Sequence, residues 1–157
     1  MFNEVIPVID YSTADSEDAL HAFVLEEQVG HLLRKANQRA TAIFQSQPSL
    51  GDMTMPQFLT LVKLQEKGEV SQNSLGRLIG MDAATMQGVV RRLTERGWVV
   101  READTRDRRR VRLTLTEEGR GALTASLEAA RRANDQALAP LTPREQQTFM
   151  RLLKRIS

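Results

Sequence analysis

Apolar residues recur at three- and four-residue spacing through Leu20, Phe23, Val29, Leu32, Leu33, Ala36, Ala40, Ile43 and Phe44, and the run stops at Pro48. This period predicts one helix opening at Ser16, a capping residue followed by Glu17 and Asp18 in the dipole-favoured first turn. At about 30 residues it would span roughly 45 Å, more than a domain of this size covers, so a second copy of the chain is expected along part of it. Residues 1–15 lack a helical period and read as an arm outside the core, either disordered, the default at a terminus, or packing Val5, Ile6, Val8 and Ile9 on a partner subunit.

Downstream, Thr54-Met55-Pro56-Gln57 places a capping threonine, a first-turn proline and a reciprocating glutamine ahead of Phe58, Leu61 and Val62, and Gly68 closes that helix. Ser71 caps a short helix bearing Leu75, Leu78 and Ile79, ended by Gly80. Asp82 caps the next, with Met86, Val89, Val90 and Leu93 on one face and Gly97 at its end. Two short helices on a tight glycine turn make a helix-turn-helix candidate. After Gly97 the period falls to two: Trp98 to Arg101 and Val111 to Leu115 read as strands around an almost wholly charged tip at 102–110. Thr116 then caps a helix with Leu123, Leu127 and Ala130 that fades before Pro140. Thr142-Pro143-Arg144-Glu145 opens a last one with Phe149, Leu152, Leu153 and Ile156 at helical spacing. The fold class is mainly α with a small β-hairpin wing. A winged helix-turn-helix lobe is expected at 54–115, with dimerisation helices at 16–48 and 116–157.

The chain of 157 residues is 41% hydrophobic and has no cysteine, which excludes disulfides, thiolate metal sites and thiol redox sensing. No apolar run approaches the roughly 18 residues of a membrane span. The first thirty residues hold no Lys or Arg, so the basic start of a secretory signal is missing and a cytoplasmic location, at the nucleoid when bound to DNA, is expected. Charge is uneven: residues 1–30 carry seven acids and no base, whereas 91–112 carry nine arginines against four acids. That asymmetry suggests a localised polyanion contact, the alternative being a solvated charged face.

Catalytic chemistry finds little support. The two histidines, His21 and His31, both fall in the first predicted helix, and no nucleophile elbow, zinc or P-loop pattern occurs. Gly119-Arg120-Gly121 imitates the start of a dinucleotide loop, but Thr124 stands where its third glycine belongs and the segment follows a helix cap. No catalytic residue, metal ligand or cofactor is assigned. For DNA, the helix from Asp82 presents Thr85, Gln87, Arg91 and Arg92 outward between small residues at 83, 84 and 88. Gln87 can read adenine bidentately, Thr85 can meet a phosphate, a base edge or a thymine methyl, and Arg91 and Arg92 sit nearer the phosphates. Arg106, Arg108 and Arg109 in the hairpin tip suit the narrow, negative minor groove. Ser71, Gln72 and Asn73 offer a helix N-terminus to a phosphate.

The ordered set Met55-Pro56-Gln57-Phe58, Ser71-Gln72-Asn73-Ser74-Leu75, Met81 to Met86, Val90-Arg91-Arg92-Leu93, Arg96-Gly97, Asp104 to Arg109 and Leu113 to Gly119 resembles the MarR family of bacterial winged helix-turn-helix transcriptional regulators. The likeness covers about residues 20–156. It implies a homodimer on a pseudopalindromic double-stranded operator, with the helix from Asp82 as recognition helix and Arg108 as wing arginine. It also implies release from DNA by a small aromatic carboxylate, nicotinate-like or phenolic; His31 and Arg34, three residues apart on one helix face, can clamp the carboxylate, or be a partly buried histidine and a surface arginine. The reading is a dimeric, effector-responsive repressor. Its rivals are a winged-helix protein-interaction module without sequence-specific DNA binding, and a small enzyme using His31.

Overall fold

The computed structural model describes residues 23–103 and 111–157. The expected arm at 1–15, the Ser16 cap, His21 and the tip arginines Arg106, Arg108 and Arg109 lie outside the described residues. The chain divides into two compact units, 1–38 and 39–157.

In the first unit the single long helix expected from Ser16 is replaced by a 3₁₀ turn, Leu25–Glu27, and a helix α1, Val29–Gln45, which runs on into the second unit. Val24 and Gln28 take extended backbones with ψ of 108° and 126°, and the Gln28 side-chain amide donates back to the Val24 carbonyl at 3.0 Å. The physical reason is that period alone does not hold a helix; burial of its apolar face does. Here Phe23, Leu25 and Val29 are exposed, and Glu26 and Glu27 lie side by side with no base in the turn.

In the second unit the caps fall where the side chains direct. Thr54 and Gln57 form a reciprocal box that starts α2, Met55–Lys67. Ser71 caps α3, Gln72–Ile79, by accepting from the Ser74 amide, and Gly80 ends it in the left-handed region at φ 67°. Asp82 caps α4, Ala83–Glu95; Thr116 caps α5, Glu117–Leu138; Thr142 and Glu145 box the start of α6, Pro143–Ile156. Between α2 and α3 lies β1, Val70–Ser71, and the hairpin strands are β2, Val99–Ala103, and β3, Val111–Leu115. The antiparallel sheet has the order β1-β3-β2, pairing Val99 with Leu115, Ala103 with Val111 and Ser71 with Arg112. Two-residue β1 is too short to leave a period in the sequence, so the hairpin was expected without it.

One core joins α2, α3, α4 and the sheet through Leu61, Leu64, Leu75, Met86, Val89, Val90, Leu93, Val99 and Leu113. A second, smaller one seats Phe44 and Leu50 on Ala129 and Ala133 of α5. Two expected core positions face outward instead: Leu78 is exposed on α3, and Leu127 is exposed on α5, where Ser126, Ala129 and Ala133 make the seam. Small side chains there allow α5 to approach α2 and the 3₁₀ turn Pro48–Leu50 closely. None of the helices in the described residues is long and apolar enough to cross a membrane.

Gly119 and Gly121 prove to be helix interior, and they differ in surroundings. A Cβ at Gly119 would overlap the Trp98 carbonyl, the group that accepts from the Thr116 amide at 3.1 Å, whereas one at Gly121 meets nothing within 4 Å. Gly119→Ala should therefore destabilise the protein by about 1–3 kcal/mol, as overpacking does. Gly121→Ala should stabilise it by about 0.5–1 kcal/mol through helix propensity. Urea unfolding midpoints of the two variants check both signs.

Candidate nucleic-acid interface

The turn between α3 and α4 is drawn tight by backbone contact. The Met81 amide donates to the Gly76 carbonyl at 2.9 Å, and a Cβ at Gly76 would sit 3.0 Å from the Met81 carbonyl. On α4 the stripe Met86, Val89, Val90 and Leu93 is buried to 1% exposure or less. The opposite face then presents Ala83, Ala84, Thr85, Gln87, Arg91 and Arg92 to solvent, with Gly88 half-buried beside them.

These side chains are not equally disposed. The Thr85 hydroxyl donates to Asp82 Oδ2 at 2.7 Å and its amide to Oδ1 at 2.9 Å, so the hydroxyl belongs to the cap although the residue is exposed. Gln87 makes no side-chain hydrogen bond among the described residues and presents a complete amide edge. Arg91 lies 3.3 Å from Glu95, an exposed i,i+4 pair of small energetic weight.

At the start of α3 the Ser71 hydroxyl is likewise engaged, accepting from the Ser74 amide at 3.3 Å and donating to the Ser74 hydroxyl at 3.0 Å. Gln72 is half-buried and its carbonyl oxygen accepts from Arg101 Nη2 of β2 at 3.4 Å, so the strand and the helix start share a polar contact. Asn73 is exposed. Gln72, Asn73, Gly76, Arg77, Met81, Ala83 and Met86 line the hollow between the two helix starts.

The run of nine arginines at 91–112 separates into different roles. Arg96 pairs with Asp52 and stacks on Trp98, its guanidinium carbon 4.8 Å from the ring centroid. Arg112 pairs with Glu69 at 2.6 Å. Both tie the lobe together, and neither counts simply as a positive surface. Sequence reasoning missed Arg101 as a positioning residue for Gln72; the only available signal was the alternation that puts it on a strand, because the partner strand β1 went unseen.

In the first unit, Arg34 Nη2 lies 3.5 Å from His31 Nδ1, with the histidine half-buried and the arginine exposed. In this contact the guanidinium donates and the ring nitrogen accepts, so the two side chains expected as a carboxylate clamp lie together on one helix face. In the second unit, Phe44 and Phe58 meet at 5.4 Å between ring centroids, tilted by 52°, beside an apolar cleft lined also by Ala40, Met55, Ala130 and Ala133.

Comparison with known proteins agrees with this architecture. Residues 53–111 match the MarR family. The HTH-type transcriptional repressor NicR of Pseudomonas putida is 42% identical over 130 residues, covering 83% of this chain and 82% of NicR. A crystal structure of a probable transcriptional regulator from Pseudomonas aeruginosa superposes with a TM-score of 0.80 at 48% identity, covering 85% of this chain and 100% of the other. The structure of Bordetella bronchiseptica BpsR, solved for the mechanism by which 6-hydroxynicotinic acid regulates its DNA binding, superposes with a TM-score of 0.79 at 34% identity, covering 85% and 96%.

The Asp82 cap carries a pH signature. Hydrogen bonds from the Thr85 amide, then from the Thr85 hydroxyl, hold its carboxyl below the ordinary value. A folded-state pKa that is depressed contributes stability present above the unfolded pKa and lost as pH falls through the folded one. Asparagine also caps but does not titrate in this range. Asp82→Asn should therefore flatten the loss of stability as pH falls below the ordinary carboxyl value of 3.8 while changing little at neutral pH, read from urea midpoints along an acid series.

Proposed function

The chain belongs to the MarR family, and from that premise we propose that it is a transcriptional repressor, acting as a homodimer on a pseudopalindromic operator, with α4 in the major groove. The observation that carries this reading is the division of α4 into a fully buried stripe and an outward face of small residues, an unengaged Gln87 and two arginines. Such a face admits close approach of the backbone to a duplex and leaves an amide edge for adenine. Asn73 and the α3 amides are the proposed phosphate anchors, beside Ser71 and Gln72. Arg106, Arg108 and Arg109 are the proposed minor-groove contacts.

The effector is proposed to be a small aromatic acid of the nicotinate or phenolic class, an inference supported by the relation to BpsR. The aromatic-lined cleft beside Phe44 and Phe58 is of a chemistry that takes a ring. The His31 and Arg34 pair is the proposed anion-binding element, and its substitution tests that assignment independently of the cleft. Effector lowers affinity only as far as it prefers the arrangement that fits DNA less well. The chain is proposed to be a regulator without catalytic activity.

Binding sites selected from a random duplex pool test the central claim. The protein should enrich a pseudopalindrome; equal, weak binding to all sequences would favour an interaction module instead. Gln87→Ala should cost about 1–3 kcal/mol on the selected site and relax preference at one base pair. With 6-hydroxynicotinate as probe, Arg34→Ala should raise the concentration needed for release roughly tenfold, the worth of about 1.5 kcal/mol for a charge-assisted hydrogen bond. Unchanged release by the variant would remove Arg34 from the effector site.

A further inference from the structure

Arg91 and Arg92 are adjacent and both exposed, yet their guanidinium groups lie in different places. Arg91 reaches one turn forward to Glu95 at 3.3 Å. Arg92 has no ion pair or side-chain hydrogen bond among the described residues, and its Nη2 lies 3.7 Å from the position a Cβ would occupy at Gly88. It therefore folds back one turn along α4, toward the level at which Gln87 is presented.

Gly88 needs a reason of its own. Glycine in the middle of a helix is unfavourable, and a Cβ there would meet no atom of the core, only Arg92. Packing against α2 or α3 thus does not demand it. What the missing side chain leaves is room on the outer face of α4 beside the Arg92 guanidinium, room that a methyl would share at ordinary contact and a larger side chain would fill.

We infer that Arg92 is a second base-edge reader, taking guanine, with its reach set by Gly88. This rests on the operator-binding reading above and changes the part expected of Arg92 from the sequence, a contact near the phosphates. A guanidinium presents paired donors in a fixed plane that match guanine O6 and N7, as the Gln87 amide matches adenine N6 and N7. Gln87 and Arg92 leave α4 on opposite flanks of its outward side, but the folded-back guanidinium lies near the level of Gly88, so the two readers imply a G·C pair and an A·T pair close together in each half-site.

The test compares the wild type with Arg92→Lys, Arg92→Gln, Gly88→Leu and Gly88→Ala by selection from a random duplex pool and by the salt dependence of binding to the selected site. The wild type should enrich one G·C position per half-site. Arg92→Lys keeps the charge but not the planar fork, so it should lose guanine discrimination at that position by about 5- to 150-fold with an unchanged salt slope. Arg92→Gln should lose the same preference. Gly88→Leu fills that room and should also lose it, whereas Gly88→Ala, whose methyl makes only ordinary contact, should keep it. The inference is overturned if Arg92→Lys retains the guanine preference, if Arg92→Gln weakens all sequences alike with a salt slope lower by about one, as for a phosphate contact, or if Gly88→Leu leaves the preference intact. A wild type that enriches no sequence would instead sink the operator-binding reading itself. Urea midpoints confirm that each variant compared is folded.

Discussion

Burial of Met86, Val89, Val90 and Leu93 against α2, α3 and the sheet is the constraint on which the remaining arrangement turns. A helix has one apolar stripe to give. Once these four residues are committed, the azimuth of every other side chain on α4 is settled, and with it which of them faces a duplex. The tight passage from Gly76 through Gly80 to Asp82 sets the entry of the helix, and the closeness of the Gly76 position to the Met81 carbonyl leaves little room for a side chain there.

Much of this was legible in the sequence because it is encoded locally. Each cap at Thr54, Ser71, Asp82, Thr116 and Thr142 is a short side chain bonding an amide three residues on, and that pairing needs no knowledge of the fold. The α4 stripe was legible for the same reason: its period is strict and its length is ample. What escaped depends on distant residues. β1 exists only because Val70 and Ser71 meet β3 some forty residues later, and Leu127 faces outward because the seam beside it is built from alanines. The long first helix failed at Val24 and Gln28 since its apolar period had no cover at that point in the described chain. The candidate site was legible by residue type but not by engagement. Nothing in the sequence told that the Thr85 and Ser71 hydroxyls serve their own helix starts while Gln87 stays unengaged.

The arginines illustrate the same division between composition and geometry. Counted together they form a basic tract, but Arg96 is sandwiched between Trp98 and Asp52, and Arg112 leans on Glu69. These contacts join the end of α4, the sheet and the segments flanking α2, so part of the positive charge near the proposed interface is already paired within the lobe. Arg101 belongs to both groups, lying on a wing strand and touching Gln72 at the start of α3. Such positioning matters to a reader of base edges, since hydrogen-bond discrimination depends on the direction in which each donor is held.

The last helix, α6, stands apart from all of this. Its start is boxed by Thr142 and Glu145, yet none of its residues is buried within the chain, and Phe149, Leu152 and Ile156 remain exposed. A fourteen-residue helix has little intrinsic persistence in water. In the proposed homodimer its order would come from the second subunit, so it obeys mass action: scarce copies would hold a frayed end and abundant ones a firm one. The abundance of the protein in the cell would thus act as a threshold on its own competence, separate from any effector.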